Sequence, residues 1–230
     1  MVIMPANHRG QVLGYLQGKY GCLGHLYSTK DNPKWFLPYV LDNGVFAKGE
    51  AWDEDEYFDF LDYFAKKEQQ PTWVLVPDAV GDKKKTLERW KKYSERIKEY
   101  GFSLAFACQD GMGKEDVPQD AEVIFIGGST EWKWESLPYW TMHFKRVHVG
   151  RVNSISDLQR CYLHEVESVD GTGYGRGGDI TWKKLEYFLE WQKERGCVSD
   201  YSSEQLYSLI MQLSGSDNGS QLLMPLHSLD

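Results

Sequence analysis

The stretch LAFACQDGMGKEDVPQDAEVIFIGGST, residues 104–130, carries the pattern that decides the fold. It contains two short apolar runs, residues 104–107 and 123–126, and each run ends abruptly in polar residues or glycine. Near-continuous apolar runs of this length are typical of strands that are buried on both faces of a parallel sheet. The stretch therefore predicts two strands of such a sheet.

Similar runs recur along the rest of the chain. They cover residues 2–4, 39–41, 73–76, 147–149 and 166–169. Charged, helix-prone stretches lie between most of the runs, and residues 55–67 and 83–100 place their apolar side chains at mostly helical spacing. Strands that alternate with helices predict an α/β fold with a parallel sheet.

The regular spacing of these strands predicts a compact (β/α)8 barrel, although 230 residues is short for that fold. The eighth strand has two candidate positions, residues 11–16 and residues 22–26. The alternative is a doubly wound open sheet. The GxGxxG pattern typical of that fold occurs only at residues 173–178, late in the chain and without the expected downstream acidic residue.

The end of the chain has a different character from the barrel. A helix is expected after Thr181 and ends at Gly196, a residue type that commonly caps helices. The following residues are polar, with the stretch SGSDNGSQ at positions 214–221. We expect one domain at residues 1–197 and a partly ordered C-terminal extension at residues 198–230.

Composition excludes several classes of protein. The sequence lacks the long uncharged run of a membrane helix and the start of a secretory signal, so we expect a soluble, cytoplasmic protein with no membrane partner. The four cysteines lie far apart, and no spacing of Cys, His or carboxylates suggests a metal site or a cofactor. A net charge of −8 argues against binding nucleic acid by bulk electrostatics and leaves room only for a local patch.

Polar residues or glycines follow nearly every apolar run. In a parallel barrel these positions meet at the end where active sites lie. They are Asp42, Asp78, Gln109, Asp110, Gly127, Gly128, Arg151 and Asp170. Singly, each has a structural alternative, such as a turn at Asp42 or a helix cap at Asp78. Together they predict a site rich in carboxylates.

This set of side chains suits chemistry at a glycosidic bond. One carboxylate can attack the anomeric carbon while a second moves a proton to and from the leaving group. A third carboxylate and an amide can bind a purine-like edge, because the carboxylate accepts from ring N–H and amine groups. Guanine has such an edge.

The motifs LDNG, VPDAVGDKKKTL, AFACQDGM, IFIGGSTEWKW, VHVGRVNS and SVDGTGYGR, in this order, resemble the tRNA-guanine transglycosylase superfamily. They are most similar to its small DNA-acting members, which insert 7-deazaguanines. The resemblance covers roughly residues 38–178. It implies that Asp170 is the nucleophile that forms a covalent glycosyl-enzyme intermediate and that Asp42 is the general acid/base.

The resemblance also implies the residues that bind substrate. Those matched to the base are Asp78, Gln109, Gly127 and Gly128, and Arg176 is expected to contact a phosphate. Arg151, one of the strand-end residues, is added as a further predicted substrate-binding residue. The implied partners are a nucleic acid and a 7-deazaguanine base such as 7-cyano-7-deazaguanine.

The sequence departs from the tRNA-acting members of the superfamily in two respects, of which the first is its length, since 230 residues is much shorter than those enzymes. Those enzymes carry a structural zinc site of clustered Cys and His near the C-terminus, whereas Cys197 stands alone here. This difference favours DNA over tRNA as the substrate. Two alternatives stay open, a nucleosidase or nucleic-acid glycosylase that hydrolyses the same bond, and a non-catalytic barrel that binds deazapurines or nucleotides. The oligomeric state is also open.

Two further features have more than one interpretation. Residues 82–100 are locally basic and could contact a phosphate backbone, or could form a solvated helix face with paired charges. His148 lies in the middle of an apolar run. We expect it to be a hydrogen-bonded residue of the core or barrel lumen rather than a metal ligand.

Overall fold

The computed structural model describes residues 1–6, 10–29, 37–173 and 179–195. These residues form one parallel sheet of eight strands. The strands are β1 (Val2–Pro5), β2 (His25–Tyr27), β3 (Tyr39–Leu41), β4 (Val74–Leu75), β5 (Leu104–Cys108), β6 (Val123–Ile126), β7 (Val147–Val149) and β8 (Ser168–Gly171). The α/β class with a parallel sheet is therefore confirmed.

The sheet closes on itself between its first two strands. The strand order is β1-β8-β7-β6-β5-β4-β3-β2, and every neighbouring pair is parallel. Ile3 forms a parallel bridge with Leu23, just before β2. Its amide donates to the carbonyl of Cys22 at 3.0 Å, and its carbonyl accepts from Gly24 at 2.8 Å. The compact (β/α)8 barrel is confirmed, and the alternative of an open doubly wound sheet is wrong.

The helices follow the strands in the order expected for such a barrel. They are α1 (Gly10–Tyr20), α2 (Val45–Lys48), α3 (Glu54–Ala65), α4 (Lys83–Lys98), α5 (Thr130–His143), α6 (Ile155–Leu163) and α7 (Asp179–Arg195). Short polar side chains accept hydrogen bonds at the starts of four of them and so pair amides that lack a partner in the helix. These caps are Asp53, Asp82, Ser129 and Ser154.

Alternation along the strands divides the core into two layers. On β5, Phe106 belongs to the larger cluster and meets Trp90 of α4 with ring centroids 5.3 Å apart. Its two neighbours in the strand, Ala105 and Ala107, belong to a second cluster, together with Trp73 before β4. Successive side chains of a strand point to opposite faces, so the first cluster lies between sheet and helices and the second fills the lumen.

The structure corrects several predicted boundaries. The eighth strand overlaps residues 22–26, whereas the candidate at residues 11–16 lies in α1 and is wrong. There Leu13 and Leu16 are buried while Tyr15 is exposed, which is the spacing of a helix face and not of a strand. The last strand begins two residues later than predicted, so Asp170 lies inside β8 rather than after it.

The C-terminal part is described only through α7, which ends at Arg195, next to the predicted cap. The predicted extension at residues 198–230 lies outside the described residues. Within the part of the chain that is described, none of the helices is both long and apolar enough to cross a membrane. Cys22, Cys108 and Cys161 are free thiols, whereas Cys197 falls outside the description.

The packing of α3 against the sheet can be tested by a paired substitution. Leu61 is fully buried, so Leu61→Ala should lower the free energy of unfolding by about 2 to 5 kcal/mol, through lost apolar contact and the cavity left behind. Asp59→Ala on the exposed face of the same helix should change it by less than about 0.5 kcal/mol. Urea unfolding monitored by Trp fluorescence measures both, and equal losses would show that α3 is not packed as described.

Candidate active site

A pocket lies where the carboxyl ends of the strands converge. Its volume is about 90 Å³, several times the roughly 10 to 15 Å³ that one water needs. Seven of the predicted site residues line it, namely Asp42, Asp78, Gln109, Gly127, Gly128, Arg151 and Asp170. The barrel thus brings together side chains that are up to 128 positions apart in the sequence, from 42 to 170.

Asp78 is held by two amide side chains. Asn43 donates from Nδ2 to Oδ1 of Asp78 at 2.9 Å and to the Val76 carbonyl at 3.0 Å. Gln109 donates from Nε2 to the other oxygen of Asp78 at 2.7 Å. Burial raises the pKa of Asp78, and the hydrogen bonds from these amides oppose that rise. Each carboxylate oxygen still has a lone pair with which to accept from a ligand.

Gln109 also connects Asp78 to the glycine pair. Its Oε1 accepts from the amides of Gly81 at 2.9 Å and Gly128 at 3.3 Å. Gly128 has a φ of 62°, and a Cβ there would lie 2.5 Å from Oδ2 of Asp110. Only glycine fits this position without displacing its neighbours. The backbone at the end of β6 is therefore locked to the same network as Asp78.

Asp110 was among the candidate site residues at the strand ends, but its contacts show a structural role. One of its oxygens accepts from the Ser129 amide at 2.8 Å and the other from the Ser129 hydroxyl at 2.5 Å. It is not among the residues that line the pocket. Asp110 fixes the start of α5 and so acts on the loop rather than on a ligand.

Asp42 follows β3 and faces two other carboxylates. Burial, and to a smaller extent the negative charges of Asp170 and Asp78, raise the pKa of Asp42 to about 7. The backbone amides of Gly44 and Asn43 act in the opposite direction. A carboxyl with this pKa can both give and take a proton near neutral pH, which is what a general acid/base needs.

Asp170 is held from two directions at the edge of the pocket. Its Oδ1 accepts from the backbone amide of Arg151 at 3.2 Å. Its Oδ2 lies 3.0 Å from Nε2 of His148, a fully buried lumen residue. Asp170 itself is only 7% exposed, and that exposed edge belongs to the pocket lining. The carboxylate is therefore oriented before any ligand binds.

Arg151 has a structural role that the sequence did not predict. Its backbone adopts a φ of 60°, a strained conformation for a side chain of this size. Its guanidinium donates to the carbonyl of Gly128 and lies 5.0 Å from the ring centroid of Phe46. Arg151 thus joins the loops after β3, β6 and β7 across the pocket mouth. Arg176, the other predicted arginine, lies outside the described residues.

Three residues of the site were not identified as such from the sequence. Asn43 stands in a stretch that reads equally well as a turn, and Phe46 is a single apolar residue at a helix start. His148 was expected in the lumen, where it lies, but its contact with Asp170 was not predicted. The register of β7 against β8 is what reveals that contact.

The basic helix α4 is largely paired with acidic neighbours. Lys83, Lys92 and Lys98 contact Asp116, Glu54 and Asp120 at 2.5 to 2.7 Å. These pairs agree with the interpretation of α4 as a solvated face with balanced charge. In the described ranges, no group of three or more His, Cys, Asp or Glu side chains is arranged to hold a metal ion.

Comparisons with protein-family models and with curated proteins find no match to this chain. The motif resemblance therefore stays a prediction, and the functional argument depends on the geometry of the pocket.

The raised pKa of Asp42 should be visible in the stability of the protein. The folded chain holds this proton up to about pH 7, whereas the unfolded chain releases it near pH 3.8. Between these values the folded state binds more protons, so Asp42 costs stability as the pH rises. We therefore expect the free energy of unfolding of Asp42→Asn, relative to that of the wild type, to rise by about 2 to 4 kcal/mol from about pH 4 to about pH 8. The magnitude follows because one pKa unit is about 1.4 kcal/mol.

Urea unfolding at a series of pH values measures this difference. Asp59→Asn, at an exposed carboxyl on α3, controls for the loss of one negative charge. A difference between Asp42→Asn and wild type that does not grow with pH would contradict the raised pKa.

The backbone at Gly128 gives another paired test. Gly128→Ala places a Cβ against Asp110 at a positive φ and should cost about 1 to 3 kcal/mol. Gly18→Ala, in α1 with nothing within 4 Å of the added Cβ, should instead stabilise the protein by about 0.5 to 1 kcal/mol. Thermal unfolding of the two variants measures both effects, and a stabilised Gly128→Ala would show that the loop does not have this conformation.

Proposed function

We propose that this protein is a base-exchange enzyme that removes guanine from a nucleic acid, DNA in preference to tRNA, and inserts a 7-deazaguanine such as 7-cyano-7-deazaguanine. One observation carries the proposal. Asp170 and Asp42 line the same small pocket, the first fixed by two hydrogen bonds and the second with a pKa of about 7. The fixed carboxylate of Asp170 suits a nucleophile, and the raised pKa of Asp42 suits a general acid/base.

In the first half of the proposed reaction, an oxygen of ionised Asp170 attacks C1′ of the target nucleotide. The bond from C1′ to the guanine nitrogen breaks, and its electron pair goes to the base. Asp42 in its acid form gives a proton to the departing base. The sugar is then held as an ester of Asp170.

The second half reverses these steps with a different base. Asp42, now ionised, takes the proton from the ring N–H of the incoming deazaguanine. The freed electron pair attacks C1′, and Asp170 leaves as a carboxylate. Two successive displacements at C1′ retain the configuration of the sugar.

The other polar residues of the pocket support a purine-like ligand. Asp78 can accept from a ring N–H and an exocyclic amine, while backbone amides near Gly127 and Gly128 can donate to a carbonyl oxygen. Phe46, which is 62% exposed, and Val80 give the pocket an apolar rim that could pack on the face of a base.

The nucleic-acid substrate is the part of the proposal that depends on the motif resemblance. A nucleotide in a duplex must leave the stack to enter a pocket between the strand ends, which costs a few kcal/mol and favours single-stranded or melted sites. With a net charge of −8, binding must come from local contacts. A cytoplasmic location also stays a prediction.

Exchange of labelled guanine into parallel DNA and RNA substrates tests the proposal. We expect incorporation into DNA and a covalent protein–DNA adduct on a denaturing gel and by intact mass. Asp170→Asn should abolish both, because it removes the nucleophile. Asp42→Asn should slow exchange by about 100-fold or more, the usual contribution of a general acid/base.

Asp59→Asn, distant from the pocket on α3, is the matched control and should exchange at the wild-type rate. An adduct that persists in Asp170→Asn would refute the assignment of the nucleophile. Release of guanine without an incoming base would make the protein a glycosylase. Base binding without any exchange would make it a non-catalytic binder.

A further inference from the structure

His148 is fully buried in the barrel lumen, where its ring packs against two aromatic neighbours. Phe125 stacks on it with centroids 4.9 Å apart and planes inclined by 24°. Trp73 meets it edge to face at 4.8 Å and 71°. These contacts set the plane of the imidazole, and its hydrogen-bond partners show where the two nitrogens point.

The register of the sheet places both nitrogens against β8. His148 pairs with Ser168, and Asp170 follows two residues later on the same face of the strand. Nδ1 lies 2.8 Å from the Ser168 hydroxyl and Nε2 lies 3.0 Å from Oδ2 of Asp170. A carboxylate only accepts hydrogen bonds, so the proton is on Nε2, and in the neutral ring Nδ1 accepts from Ser168.

The opposite oxygen of Asp170 is held by the loop after β7. The Arg151 amide donates to Oδ1, and the carbonyls of Gly150 and Arg151 accept from Nζ of the buried Lys133 at 2.9 and 3.4 Å. Because Oδ2 is turned toward a fully buried nitrogen, Oδ1 is the oxygen left for a ligand in the pocket.

We propose that His148 is a positioning residue for base exchange, which anchors Oδ2 of Asp170 in the lumen so that Oδ1 attacks C1′. In the ester that forms, Oδ2 becomes the carbonyl oxygen and keeps the hydrogen bond from Nε2. The contact therefore persists through both half-reactions. Ser168 acts one step further back by fixing the imidazole tautomer. The role in exchange rests on the proposed function, whereas the contact itself can be tested without it.

Three substitutions separate the hydrogen bond from lumen packing. His148→Phe keeps a ring and removes the donor, His148→Gln keeps an N–H donor, and Trp73→Phe alters the packing around the ring without touching Asp170. We expect His148→Phe to lower kcat for exchange by about 100-fold, as for a misplaced reacting group. The KM for the incoming base should stay close to that of the wild type, because Asp78 and Gln109 are unchanged.

His148→Gln should recover at least tenfold of that loss, and Trp73→Phe should keep kcat close to the wild-type value. A wild-type kcat in His148→Phe would overturn the proposal. So would equal losses in the Phe and Gln variants, since the role would then be packing alone.

Nitrogen-15 NMR of the imidazoles tests the contact without substrate. The chain has six histidines, and the signal missing in His148→Gln identifies His148. We expect its Nε2 to carry the proton and its resonance to move in Asp170→Asn but not in Asp59→Asn. A signal unmoved in Asp170→Asn would overturn the inference even in an active enzyme. A moved signal in a protein that exchanges no base would instead refute the proposed function and leave the contact intact.

Discussion

Closure of the parallel sheet is the constraint on which the rest of the molecule depends. The backbone of Ile3 joins β1 to the segment before β2 and so connects the two ends of the strand order. β8, which carries Asp170, pairs with β1 on one side and β7 on the other. In a closed parallel sheet the carboxyl ends of all strands lie around one rim, so residues from distant parts of the chain meet there. An open sheet with the same strands would separate Asp42, which follows β3, from Asp170 on β8.

Three carboxyl groups in one pocket repel one another, and the surrounding structure compensates for this. Asp78 is satisfied by two amide side chains, and Asp170 by a backbone amide and an imidazole. Asp42 accepts from the backbone amides of Gly44 and Asn43, but burial and the charges of Asp170 and Asp78 raise its pKa to about 7. The pKa of Asp42 is therefore set by its surroundings and not by the residue type alone.

The sequence predicted the fold and most of the pocket because both depend on short-range patterns. Buried parallel strands are continuous apolar runs, and most of the polar residues or glycines that end these runs line the pocket. The eighth strand was ambiguous because Gly24 and His25 interrupt the apolar run at residues 22–26, whereas the helix at residues 11–16 offered a second apolar stretch. The contacts of His148 and the strained backbone of Arg151 could not be predicted, since they depend on strand register and loop conformation, which leave no local signal.

The concentration of acidic groups at the pocket has a consequence for inhibition. A cluster of carboxylates around one small volume is complementary to positive charge, as at the anomeric carbon of a sugar that is losing its base. A five-membered cyclic amine, protonated at neutral pH, would present that charge permanently. If the protein carries out the proposed base exchange, such iminosugars, with or without an attached deazapurine, should inhibit it.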